Sequence, residues 1–132
     1  LVRDTWSSMK INLVDGLPYI TANLSYRQQS LTIENVLVDT GSVGTVFAAD
    51  KVLEVDLRLE TDDFVHRIRG VGGTEFVFTK QVDSLTVGNL EIKNFDIEVG
   101  AMDYGFDIQG IIGMDFLQQV GAVIDLAQLE IY

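Results

Sequence analysis

The stretch that most constrains this chain is Val36-Leu37-Val38-Asp39-Thr40-Gly41-Ser42. Three apolar residues in a row read as a buried strand. An aspartate follows at once, where such a strand must open into a tight turn. A carboxylate at that point is either satisfied by the turn or used for chemistry. Taken alone, Asp-Thr-Gly-Ser is sound turn chemistry, and Asp39 then simply caps the turn. The rest of the chain has to decide between the two readings.

Most of the remaining sequence reads as short strands. Residues 1–12 are a possible N-terminal arm. Asp15-Gly16 forms a turn between strands at 11–14 and 19–24, where Ile20, Ala22 and Leu24 alternate with Thr21 and Asn23. Arg27-Gln28-Gln29 turns the chain into residues 31–38. Thr45-Val46-Phe47 predicts a short strand and residues 48–53 a helical turn. Val55, Leu57 and Leu59 alternate with Asp56 and Arg58, which predicts a further strand broken at Asp62-Asp63. Residues 64–68 and 75–79 flank Gly70-Val71-Gly72-Gly73, a hairpin with a flexible tip. A second hairpin turns at Gly88-Asn89, and Phe95, Ile97 and Val99 alternate on one more strand. Ile111-Ile112 is a short apolar strand stopped by Gly113. Asp115 is the expected N-cap of a short helix through Gln118-Gln119, with Gly121 at its end. Residues 123–124 and 129–131 close the chain. About nine short strands and one short C-terminal helix predict an all-β barrel or sandwich, a single domain over residues 1–132.

Composition narrows the function classes. A chain of 132 residues buries enough surface for a core without a metal or disulfide. The formal net charge of -11 disfavours nucleic acid and anionic membrane surfaces as partners. Cysteine is absent, which excludes disulfides, thiol chemistry and cysteine-ligated zinc. No apolar run is long enough to make a transmembrane helix, so no membrane insertion is expected of this segment. The chain begins at Leu1 rather than methionine, so it reads as a processed form or one piece of a longer protein.

Three motifs in order then carry a resemblance. They are the apolar run into Asp39-Thr40-Gly41-Ser42, the glycine-rich Gly70-Val71-Gly72-Gly73, and Gly110-Ile111-Ile112-Gly113-Met114-Asp115-Phe116-Leu117. Together they resemble the catalytic motif, flap tip and second signature of the single-lobe, retropepsin-like aspartic proteases, as a non-viral member. The resemblance spans roughly residues 18–132. A given four-letter string arises by chance in roughly one of several hundred chains of this length, so the ordered set is much more specific than any part. The resemblance implies an acid-protease, closed barrel-like fold, and an aspartic endopeptidase that cleaves extended peptide or protein substrates. It implies no cofactor and no metal.

Physical chemistry supports the same reading. Hydrolysing a peptide bond without a metal or a nucleophilic side chain needs an activated water. Two carboxylates about 3 Å apart cannot both ionise, so one can take a proton from water while the other donates. The chain holds one Asp-Thr-Gly, so the second carboxylate must come from another copy, and a homodimer is expected with Asp39 meeting its own symmetry mate. Thr40 is expected to lock the two turns across the axis, as the resemblance implies. Gly41 lets backbone amides approach the carboxylate, and Ser42 is placed to donate to the outer oxygen of Asp39. Retroviral relatives usually carry alanine at the Ser42 position, whereas pepsin-like lobes carry serine or threonine. The runner-up reading is a catalytically silent dimer that binds peptides or proteins in the same groove.

The hairpin over the cleft is expected to hold substrate through Gly70, Val71, Gly72 and Gly73 and to exclude water. It lacks the tyrosine of pepsin-like flaps. Glu75, close behind the tip, either disfavours acidic substrates or faces solvent. Val43, Val46, Phe47, Val71 and Ile111 are candidates for apolar subsites or core. Glu54, Asp56, Glu60, Asp62 and Asp63 read as a solvated face or, alternatively, an acidic rim that steers basic substrates, and His66 as an ordinary strand residue. Retroviral members interleave their chain ends at the dimer interface, and residues 129–132 are the candidate for that role.

Overall fold

The computed structural model describes residues 8–70 and 73–132. Residues 1–7 of the expected arm, and Val71 and Gly72 of the expected flap tip, lie outside the described residues. In chain order the elements are β1 (Met9–Lys10), β2 (Asn12–Val14), β3 (Leu17–Tyr26), β4 (Gln29–Val38) and β5 (Val46–Ala48). A helical turn α1 (Ala49–Val52) follows and continues into a 3-10 turn at Leu53–Val55. Then come β6 (Val65–Gly70), β7 (Gly73–Val87), β8 (Leu90–Gly100), β9 (Gly110–Ile112), helix α2 (Met114–Gln119), β10 (Ile124–Asp125) and β11 (Glu130–Ile131).

Two tight hairpins start the fold. Asp15 and Gly16 have φ of 51° and 79°, and Arg27 and Gln28 have 46° and 69°, the left-handed pairs that two-residue turns between twisted strands require. Eight strands form one sheet in the order β2-β3-β4-β9-β5-β8-β7-β6, and an additional β3–β7 pairing closes most of it into a ring. Closure removes the free edges of all but β2 and β6. The ring encloses the main core, in which Ile20, Ile33, Phe47, Ile97 and Phe116 are at most 2% exposed. Gly121, at φ 64°, ends α2 as expected, with the Ala122 amide bonded to Leu117 O at 2.9 Å.

One irregularity aims the functional loop. The β3–β4 register passes from Ala22↔Ile33 to Ile20↔Val36, which places one extra residue on β4. Asn35 sits at this bulge with φ 57°. Beyond it, Val36, Leu37 and Val38 run parallel to Gly110, Ile111 and Ile112 of β9. All six of these residues are buried, which explains why both runs are apolar without alternation.

Two expectations fail here. Val55, Leu57 and Leu59 do not form a strand. Val52 and Val55 are one helical turn apart and both buried, and Asp56 is left-handed at φ 59°. The Leu57 amide then bonds back to Val52 O at 3.2 Å, which buries Leu57 while Leu59 stays exposed. An alternating pattern was produced by a helix end. Residues 129–132 are also not poised to interleave with a partner, because β11 lies between β1 and β10 of its own chain and both its edges are filled. Among the described residues, no helix is long and apolar enough to cross a membrane.

Candidate active site

Asp39 follows directly on β4. Its amide bonds to Ile112 O at 3.0 Å, so pairing with β9 continues as far as the aspartate. The chain then turns sharply: the Ser42 amide bonds to Asp39 O at 3.1 Å, and the Gly41 amide donates to Asp39 Oδ1 at 2.9 Å. A Cβ on Gly41 would sit 3.2 Å from that oxygen, so glycine keeps the carboxylate and its amide donor close. Asp39 is half-buried and Thr40 exposed. The Ser42 hydroxyl does not reach Asp39; it donates to Gly44 O at 2.8 Å. A carbonyl two residues ahead captures its single hydrogen, a local turn bond that competes with the expected one.

The loop rests on the start of α2. Gly113, not Asp115, is the N-cap. The Met114 amide donates to Ser42 O at 2.8 Å and the Asp115 amide to Val43 O at 3.1 Å, so helix-start amides that lack intrahelical partners brace the loop. Asp115, inside the first turn, accepts from the Phe116 amide on Oδ1 at 2.8 Å and turns the same carboxylate onto Thr45. Its Oδ1 accepts from Thr45 Oγ1 at 2.7 Å and its Oδ2 from the Thr45 amide at 3.2 Å. Thr45, fully buried, in turn accepts from the Gly113 amide at 3.1 Å. Gly113 has no room for a side chain: a Cβ would collide with the Gly44 carbonyl oxygen and lie 2.8 Å from Ser42 O.

Over this loop lies the β6–β7 hairpin, paired from Val65↔Phe78 to Gly70↔Gly73, with Gly73 at φ 99°. Asp39, Val43, Val46, Ile68, Arg69 and Glu98 are among the residues lining a cleft of about 530 Å³ between hairpin and loop. Val43 and Val46 thus reach the cleft. Phe47 belongs to the main core, and Ile111 packs in a second, smaller apolar cluster with Tyr19, Leu37 and Val46 rather than along the cleft.

Polar contacts fix the hairpin root. Glu75 neither faces solvent nor stands free toward substrate: it accepts from the Tyr104 hydroxyl and from the Met102 amide, the latter at 3.3 Å. Burial and then the Glu75 carboxylate push the Tyr104 phenol well above its ordinary value. Of the acidic stretch, Glu54, Asp56, Glu60 and Asp62 are exposed as expected, and only Asp63 is drawn inward. Lys80, buried on β7, pairs with Glu60 and, at 2.8 Å, with Asp63, and Arg27 pairs with Glu60 at 2.8 Å. Among the described residues, no group of three or more His, Cys, Asp or Glu could hold a metal ion.

Sequence reasoning overlooked Thr45, Ile68, Arg69 and Glu98. Thr45 left a signal, a lone polar residue opening the apolar run Val46-Phe47. Glu98 left none, because between buried Ile97 and Val99 it reads as an outward residue, and only the fold makes that outside a cleft.

The family model described as aspartyl protease matches residues 24–116, which include the 39–45 loop, the hairpin and Gly113. Polyporopepsin of Irpex lacteus is 38% identical over 85 residues, 63% of this chain and 24% of the relative, so the chain spans about a quarter of that protein's length. A retropepsin-like aspartic protease from Rickettsia conorii has the same fold, with a TM-score of 0.65 at 22% identity over 94% of this chain and 96% of that one.

Proposed function

Because the chain belongs to the aspartyl protease family and has the single-lobe, retropepsin-like fold, we propose that it is an aspartic endopeptidase acting as a homodimer. The observation that carries this reading is Asp39 at the mouth of the cleft, its carboxylate bonded to the Gly41 amide on a loop braced by α2. One chain contributes one such aspartate, and a two-fold axis contributes the second.

The two Asp39 carboxylates share a proton and titrate as a pair. The ionised one takes a proton from a water as the water oxygen attacks the substrate carbonyl carbon. The protonated one gives its hydrogen to the carbonyl oxygen. In the tetrahedral intermediate the first carboxyl passes its proton to the amide nitrogen, the C–N bond breaks, and a hydroxyl of the intermediate returns a proton to the second carboxylate. Acid, amine and the starting dyad result. Thr40, exposed and with no hydroxyl partner among the described residues, locks the two loops across the axis. Gly70, Val71, Gly72 and Gly73 cover an extended polypeptide with backbone groups. Ile111, the register partner of Val46, supports the cleft wall from behind, and Gly113 and Ser42 hold the loop in shape.

The test is cleavage of a diverse peptide library from about pH 3.5 to 7, at protein concentrations on the order of tens of micromolar so that association is favoured. The wild type should cleave, and Asp39→Asn should not. A folded, demonstrably dimeric wild type that cleaves nothing would overturn the peptidase reading in favour of a silent peptide-binding dimer.

A further inference from the structure

We propose that Glu98 is a specificity-determining residue that makes this cleft accept a basic side chain, lysine or arginine, of the bound peptide. The proposal rests on the peptidase reading for the cleft being the face that receives substrate.

Glu98 lies on β8 opposite Val46 of β5 and Thr79 of β7. Its neighbours Ile97 and Val99 are buried in the barrel, so strand alternation turns Glu98 the other way, into the cleft that holds Asp39. The side chain is 22% exposed, low for a carboxylate, yet no lysine or arginine of the described chain pairs with it. The ion pairs of Arg27, Lys51, Arg58 and Lys80 all go to other carboxylates. Glu98 is instead fixed by two neighbours: Oε2 accepts from Thr79 Oγ1 at 2.9 Å, and Oε1 faces His66 Nε2 at 3.4 Å. His66 is itself held by stacking on Phe64, with its Nδ1 buried and unpartnered. Each carboxylate oxygen keeps acceptor capacity for a further donor.

The surroundings match a long basic side chain. Val46 and Ile68 line the same cleft and offer an apolar path for the aliphatic stem of lysine or arginine, whose charged end then meets the carboxylate. Gly44 keeps the approach open, since even an added Cβ there would touch only Glu98 Cγ, at 4.0 Å. An apolar substrate side chain would desolvate the carboxylate without compensation, and an acidic one would be repelled. Arg69, the one cation along the cleft, is exposed at its rim and pairs with no carboxylate among the described residues. A preference for glutamate would therefore point to Arg69 and against this proposal.

The test uses statine-centred peptides, which occupy the cleft without being cleaved. They carry degenerate flanks and a single fixed residue, lysine, norleucine or glutamate, moved one position at a time. At one position lysine should bind at least about tenfold more tightly than norleucine, and glutamate more weakly than either. In Glu98→Gln, whose amide oxygen can still accept from Thr79, the lysine advantage should collapse to within about threefold, with norleucine bound at least as tightly as by the wild type. The proposal is overturned if no position prefers lysine, if the preference survives in Glu98→Gln, or if no member of the set binds. Cleavage assays with matching peptides separate the two claims. Asp39-dependent cleavage without a Glu98-dependent preference sinks the specificity claim alone. A Glu98-dependent binding preference without any cleavage sinks the peptidase reading and leaves the basic subsite standing.

Discussion

Replacing Thr45 by valine removes one oxygen and little volume, yet it should be among the more damaging conservative changes in the chain. That oxygen donates to Asp115 Oδ1 at 2.7 Å and accepts from the Gly113 amide at 3.1 Å, at a side chain with no solvent exposure. A hydrogen bond to a charged group contributes about 1.5–3 kcal/mol, and a buried amide left without an acceptor costs about 1–3 kcal/mol. The two terms share one loop and are not independent, so the expected loss is about 3 kcal/mol rather than their sum. With the usual unfolding entropy per residue, that lowers the melting temperature of a 132-residue domain by about 10 °C. Urea unfolding followed by far-UV circular dichroism at one fixed protein concentration measures it, since association adds to apparent stability. Thr45→Ser keeps the hydroxyl and should lose only about 1 kcal/mol for its missing methyl group. Peptide cleavage per folded molecule should fall at least about tenfold in the valine variant, because this hydroxyl anchors Gly113 and Asp115, which flank and include the amides that hold the loop carbonyls. A valine variant within about 0.5 kcal/mol of the wild type, or a serine variant as damaged as the valine one, would refute the assignment of the bracing to that hydroxyl.

Two further changes probe the same framework. Gly113→Ala should destabilise by about 3 kcal/mol or more, because its Cβ meets the backbone of Gly44 and Ser42, which no rotamer change relieves; near-wild-type urea unfolding would contradict the close approach. The Lys80 cluster predicts a pH dependence. Hydrogen bonds from Lys80 and then Arg27 hold Glu60 down at about 2, from 4.5. Burial raises Asp63, but its bonds from Lys80 and the Glu60 amide outweigh that and leave it lowered. Lowered carboxylates contribute stability above their ordinary values and lose it as pH falls through the folded ones. Wild-type stability should therefore decline from about pH 5 toward pH 2, and Lys80→Met should be less stable at neutral pH with a shallower acid decline. Parallel curves for the two proteins would show that the cluster is not the source.

What was legible in the sequence follows from how local each signal is. The hairpin turns, the apolar β4 and β9 segments and the Gly121 helix stop depend on neighbours within a few residues, and the structure keeps them. The false strand at Val55, Leu57 and Leu59 arose because a helical turn and its left-handed end at Asp56 can imitate alternation over five residues. Asp115 was read as a cap because aspartate before a short helix usually is one. Its carboxylate does accept from the Phe116 amide, but it also binds Thr45, 70 positions away in sequence, and no local pattern carries that second contact. The cleft position of Glu98 and the Tyr104 and Met102 contacts of Glu75 are illegible for the same reason. Each glutamate is polar on the outer face of a strand, and only the arrangement of hairpin, loop and barrel decides that this face is not solvent.

The division of labour in the candidate site follows from those contacts. Gly41, Gly113, Thr45 and Asp115 all act within one chain, so the loop carrying Asp39 takes its shape when the monomer folds. The second carboxylate of the proposed dyad has no counterpart in the chain, since Asp-Thr-Gly occurs once. Shape and chemistry are therefore separable in this protein. On the proposed mechanism, changes at Thr45 or Gly113 should act through folding and then through activity, whereas Asp39→Asn should remove chemistry while the amide bonds of its loop persist. In the proposed homodimer, pairing across the axis would bring together two loops that are already formed, so association would supply a carboxylate without also having to order the loop that presents it.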